Sequence, residues 1–327
     1  MDLEIGIQMG RDLRDRFRGC LVGAAVGDAL GAPLQELNRE KVKDLYGWVE
    51  NYVKPGEDHP LAALEAGQYS DDTQLMIVAA EALVEGEGYN PHKLKSKLVE
   101  WYNTSDHRNP DNTTVSAVAR LDAGESYKDS GVEGATGSGC IKRIIPTGLV
   151  YAGEDLIKYA YKCCNVTHKT KRASIGAIIS AQCVDWLLQE ETVDPPSFLD
   201  SLSRLAFRLE DGFKMPSYEF SNKLGELVEL LPESYKAGML ATGNSHYVTE
   251  TVCNAVFAFM HSPEEFEKTV CNAVNYGGAA DTIGFLAGAL SGAYNGYGRI
   301  PPQWVAGLEN SGQIVQLADE LYAMREK

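Results

Sequence analysis

The sequence has no CxxC pair, and its seven cysteines are an odd number without framework spacing, so neither a disulfide scaffold nor a zinc ribbon is indicated. Reduced thiols in a cytosolic (cytoplasmic) compartment are the expectation. Nowhere do about 18 uninterrupted apolar residues occur, and the charged stretch 1–18 lacks a signal-peptide run. Neither a membrane span nor a secretory leader is expected. Basic residues are in deficit, 30 against 46 acidic ones, for a formal net charge of −16. That balance disfavours a protein held to nucleic acid by phosphate contacts. An acidic surface aids solubility, whereas carboxylates gathered in one cleft would attract metal cations. Strand-like alternation is scarce, and no fixed-period repeat, low-complexity tract or linker-like shift in composition occurs.

What is present is helical periodicity over most of 327 residues, 44% of them hydrophobic, joined by short Gly, Pro and Asn turns. This predicts an all-α protein in one layered domain over 1–327, with 1–13 as a loose N-terminal extension. Helices are predicted near 12–30, 73–85, 93–102, 113–121, 174–188, from 195, and near 219–231, 248–260, 263–274 and 314–325. The first helix carries Gly19, Gly23, Gly27 and Gly31, and a helix after residue 280 carries Gly284, Gly288 and Gly292. Four-residue spacing puts each set on one face. A glycine inside a helix costs about 1 kcal/mol relative to alanine, so each ridge implies another backbone pressed against it. Either the ridges pack on each other, or each meets some other core helix.

Gly277-Gly278 makes a turn, and Asp281 and Thr282 follow where the second ridged helix begins. The same order, acid then threonine then apolar helix, occurs at Ser70-Asp71-Asp72-Thr73. Only one of two neighbouring aspartates can cap a helix, and like charges a few Å apart repel by roughly 1 kcal/mol. A bound cation would relieve that repulsion. Two readings stand: a two-part oxygen-ligand metal site, or two unrelated caps. The stretch Gly134-Ala135-Thr136-Gly137-Ser138-Gly139 is either a turn or a loop whose N–H groups receive an anion such as a diphosphate. Thr167-His168 precedes a helix, where a histidine either packs and caps or serves catalysis.

Together these segments resemble the ADP-ribosylglycohydrolase family, the group related to dinitrogenase reductase activating glycohydrolase. The likeness runs from about residue 14 onward, with motifs in family order. Residues 23–33 are similar to GxxxGDALGxP, Ser70-Asp71-Asp72-Thr73 to the S/T-D-D-T metal motif, and 138–146 to NGxxMRxxP. Thr167-His168 and 275–292, which resembles NxGGDxDTIGAIAGAxxG, complete the set. The resemblance implies a single compact orthogonal helical domain with two Mg²⁺ ions in a cleft that hydrolyses the glycosidic bond between ADP-ribose and an acceptor such as arginine. It implies that Ser70, Asp71 and Asp72 bind metal from one side and Asp281 and Thr282 from the other. Asp71, Asp72 and a glutamate after GDALGxP would serve catalysis. Gly134, Thr136, Gly137, Ser138 and Gly139 would cradle the diphosphate, and His168 would line the same pocket. The implied partner is ADP-ribose or an ADP-ribosylated protein.

Three departures bear on that expectation. Ala279 stands where the first aspartate of GGDxDT belongs, so one ion should lose a ligand and activity should be impaired. Strict spacing puts Gln35 at the glutamate position; Glu36, one residue later, must reach the site by a local shift or the role is absent. The Asn-Gly of the family is Ser138-Gly139 here, and its Met is Lys142, an extra charge expected near the phosphates. The competing readings are a non-catalytic ADP-ribose-binding module, a structural protein, and a two-metal phosphoesterase releasing AMP.

Overall fold

A computed structural model describes residues 12–326, so the expected N-terminal extension lies, up to residue 11, outside the described residues. Asp12 caps the first helix, Leu13–Gly31, its carboxylate accepting from the Arg14 amide. This helix and Ala280–Asn295 form the centre of the fold. Gly19 faces Gly292, Gly23 faces Gly288 and Gly27 faces Gly284, each so closely that an added methyl group would run into the opposing backbone carbonyl. The mutual packing of the ridges is thus realised. The pairs run in opposite order, which makes the helices antiparallel and brings the end of the first beside the start of the second, Gly31 against Ala280.

Every residue from Ala280 to Asn295 is buried, as is every residue from Gly19 to Gly31. A helix covered on all sides must be sheathed by others. Lys171–Leu187, Val248–Met260, Phe266–Val274 and Ser311–Arg325 supply much of that sheath. The remaining predicted helices are present as Asp71–Glu85, Pro91–Tyr102, Asn112–Asp122, Pro195–Gly212 and Glu219–Leu230. Helices at Arg39–Tyr46, Gly153–Asn165 and Tyr235–Thr242 were not foreseen. The architecture is all-α, interrupted among the described residues only by two-residue strands, Val132–Glu133 and His168–Lys169, which pair in parallel. All seven cysteines are free and buried. Among the described residues no helix is long and apolar enough to cross a membrane.

Candidate active site

The site is assembled at the end of the first helix. Asp28, in its last turn, is fully buried and takes hydrogen bonds from the amide of Ser70 (3.0 Å), the amide of Thr73 (2.9 Å) and the hydroxyl of Thr73 (2.6 Å). One carboxylate thereby seats the start of Asp71–Glu85. The N-cap is Ser70, whose hydroxyl accepts from the Asp72 amide at 3.2 Å. This corrects the expectation that one of the two aspartates does the capping. Freed from that task, Asp71 and Asp72 point inward, with exposures of 1% and 0%.

The second wall comes from the Gly277-Gly278 turn. Both glycines have positive φ, 71° and 68°, which residues with a Cβ adopt only under strain. The turn is stitched to the segment after the first helix: the Glu36 amide donates to the Gly278 carbonyl (2.9 Å), and the Gly278 amide to the Leu37 carbonyl (2.8 Å). Glu36 is therefore fixed beside the start of Ala280–Asn295, where Asp281 and Thr282 lie. Ala279 occupies the N-cap position of that helix and offers no side-chain hydrogen bond.

Between the walls is a cavity of about 360 Å³, lined among others by Gln35, Glu36, Asn109, Asp111, Lys142 and His246, with Asp281 and Thr282. Gln35 and Glu36 divide the position left open by sequence spacing. Gln35 is buried, its Oε1 accepting from the side-chain Nδ2 of Asn109 at 3.2 Å. Glu36, with φ of 61°, turns its carboxylate to the exposed rim, 2.9 Å from His246 Nε2. The left-handed backbone at Glu36 is what brings its carboxylate to the rim.

The electrostatics centre on Lys142. Its buried ammonium lies 2.5 Å from Asp71 Oδ2 and 2.7 Å from Asp72 Oδ1. The extra charge that Lys142 brings in place of the family's Met is thus engaged by two carboxylates at the cleft. Burial alone would depress the Lys142 pKa, but Asp71 and Asp72 outweigh it and hold the pKa well above its ordinary value. Burial raises Asp71 well above the usual carboxylate range even though Lys142 opposes the shift. Burial and the Asp72 charge push Asp281 up to about 6 and Asp28 up to about 7. Asp72 Oδ2, Asp281 Oδ1 and Thr282 Oγ1 are buried oxygens without a hydrogen-bond partner. Two helix N-termini favour the negative charge there.

Other expected residues sit differently. Gly137, Ser138 and Gly139 line the cavity, but Gly134 and Thr136 do not. The Thr136 carbonyl is taken by the Val248 amide at 3.0 Å and the Ser138 amide donates to the His246 carbonyl at 2.8 Å, so only the end of this loop turns inward. His168 is wholly buried behind Gly139 and does not line the cavity. Its Nδ1 pairs with Thr167 Oγ1 at 2.9 Å, and its Nε2 lies 3.7 Å from Asp111. Burial lowers its pKa to about 4, so the ring is neutral near pH 7. Asp71 and Asp72 are likewise absent from the lining, screened by Lys142. Asp28, Asp111 and His246 were not singled out as site residues from sequence. Asp111 caps Asn112–Asp122 through the Thr114 amide at 2.9 Å, the turn-and-cap role that Asn109-Pro110-Asp111-Asn112 before this helix predicts.

Comparisons with known proteins bear on the family and the fold. The ADP-ribosylglycohydrolase family profile matches residues 9–327. An uncharacterised protein of Archaeoglobus fulgidus is 30% identical, over 95% of this chain and 97% of its own. ADP-ribosylhydrolase ARH3 of Gallus gallus is 26% identical, over 94% of this chain and 93% of its own. A solved structure described as an ADP-ribosylglycohydrolase-related protein complex superposes with a TM-score of 0.75 at 27% identity, over 96% of this chain and 99% of that one.

Proposed function

The chain belongs to the ADP-ribosylglycohydrolase family, and on that premise we propose that its cleft binds an ADP-ribosyl group and hydrolyses the bond joining it to a protein acceptor, an arginine side chain by preference. The observation that carries the reading is the set of three unpaired buried oxygens, Asp72 Oδ2, Asp281 Oδ1 and Thr282 Oγ1, in and just behind a polar cleft. Unpaired polar atoms at such depth are costly unless something binds them. Their hard oxygen chemistry fits one Mg²⁺ ion. The donor set does not extend to a second full site, because Asp71 is held by Lys142 and Ala279 carries no oxygen donor. A Mg²⁺ bound there would supply Lewis-acid polarisation of a ribose hydroxyl or water.

The chain's own groups divide the remaining work. Gln35 keeps its amide Nε2 without a partner and can donate to a ligand hydroxyl. Glu36, the exposed carboxylate at the rim, can take a proton from water attacking the anomeric carbon, and His246 orients it. Gly137–Gly139 and Asn109–Thr113 form the side of the cleft facing the nucleotide end. His168 acts at a distance by supporting Asp111 and the back of Gly139. Free, buried thiols suit a cytosolic setting.

A second reading, retention of ADP-ribose without cleavage, is favoured by Ala279 and by the Lys142 ion pair. Calorimetry with ADP-ribose, beside chromatography after incubation with an arginine-ADP-ribosylated peptide, separates the two. Hydrolysis releases intact ADP-ribose, whereas binding without any release identifies the module. Release of AMP points instead to attack on the diphosphate.

A further inference from the structure

Two adjacent aspartates at a helix start repel, and the structure supplies a cation between them from the chain itself. Lys142 Nζ contacts both Asp71 and Asp72, at 2.5 and 2.7 Å, and its side chain is only 6% exposed. Among the described residues no other cationic side chain is ion-paired with either aspartate. A lysine ammonium is a compact point charge on a flexible stem, able to reach a pocket whose walls come from distant parts of the chain. It cannot dissociate as an ion does. We propose that Lys142 is a tethered cation that takes the place of a divalent ion between Asp71 and Asp72, so that the cleft accepts one divalent ion at most, on the side of Asp72 Oδ2, Asp281 and Thr282.

A second observation points the same way. The start of Ala280–Asn295 has no side-chain oxygen at its cap, Ala279, so the opposite wall offers a divalent ion no extra donor with which to displace the Lys142 ammonium. Donor loss on one wall and charge gain on the other match. An ammonium spends its hydrogen bonds on Asp71 and Asp72 and holds them in place, leaving Lewis-acid polarisation to the single ion beside it.

The inference concerns the cleft of the proposed hydrolase but rests on ion pairs, so counting ions decides it whether or not a glycosidic bond is cleaved. The count is made with Mn²⁺, by calorimetry and electron paramagnetic resonance on the full chain. The wild-type protein should bind one ion per chain, with the spectrum of an isolated centre. Lys142→Met should bind one more, with spin coupling between the two, and Lys142→Arg should keep the wild-type count. Two ions in the wild type, or equal counts in wild type and Lys142→Met, overturn the proposal. Removing Lys142 leaves buried carboxylates without their cation, so Lys142→Met is also followed by circular dichroism. If it is unfolded in EDTA, Mn²⁺ should restore its helical signal; failure to do so while Lys142→Arg folds also overturns the proposal.

Discussion

Burial depresses two neighbouring bases alike, and their carboxylate partners decide the outcome. Lys142 stays charged because Asp71 and Asp72 surround its ammonium, whereas His168 stays neutral because desolvation exceeds the pull of Asp111. For His168 the folded-state pKa, about 4, lies below its ordinary 6.5. The unfolded chain therefore binds the proton first on acidification: the stability is fully present above about pH 6.5 and is lost as pH falls through about 4. The group's share of that loss is about 3 kcal/mol. Urea titrations at pH 7, 5.5 and 4.5 should show a shallower decline of unfolding free energy with falling pH for His168→Gln than for wild type, and equal slopes would show that the buried ring is not the sensor. Glu36 offers a kinetic counterpart. Glu36→Gln should lower kcat about 100-fold with little change in ADP-ribose affinity, in keeping with loss of a general base. Asp71, Asp72, Asp281 and Thr282 were legible because acid and threonine before an apolar helix form a local pattern. The partner of Lys142 was not, since it comes from a helix 71 residues earlier in the chain.

At the scale of elements, the ridges carry the geometry. They set how closely Leu13–Gly31 approaches Ala280–Asn295, and that approach puts Asp28, Asp281 and Gly31 at one end of the helix pair. Gly27→Ala should destabilise the fold by about 2 kcal/mol or more, because the methyl would overlap the Gly284 carbonyl in a packed core. Gly212→Ala, where an added Cβ meets nothing, is the control and should be close to neutral. Chemical denaturation of both variants checks the contrast, and equal effects would deny the ridge contact its role. Helices with a buried stripe were readable from periodicity. Arg39–Tyr46 was not, because it buries only Val42 and leaves no stripe to read. The paired strands escaped notice for a related reason: two residues are too few to show alternation.

At the scale of the whole molecule, the net charge of −16 is partly concentrated in the cleft, where Asp28, Asp71, Asp72, Asp111 and Asp281 act on one another and on Lys142. Carboxylates gathered in one cleft produce a local field that favours a cation. What composition could not convey is that Lys142 alone among the described cationic side chains is ion-paired with Asp71 and Asp72, while Asp281 Oδ1 and Thr282 Oγ1 are left without a hydrogen-bond partner. Ala279 is the position at which the molecule's capacity for a cation can be raised without touching Lys142. An aspartate there would cap Ala280–Asn295, worth about 1 kcal/mol, and add an oxygen donor beside Asp281. The most direct measurement is therefore the rate of ADP-ribose release from an arginine-ADP-ribosylated peptide by wild type and Ala279→Asp across a Mg²⁺ titration. Release by both, at least about tenfold faster in Ala279→Asp at limiting Mg²⁺, is the expected result; no ADP-ribose from either protein at any Mg²⁺ concentration would contradict hydrolysis in this cleft.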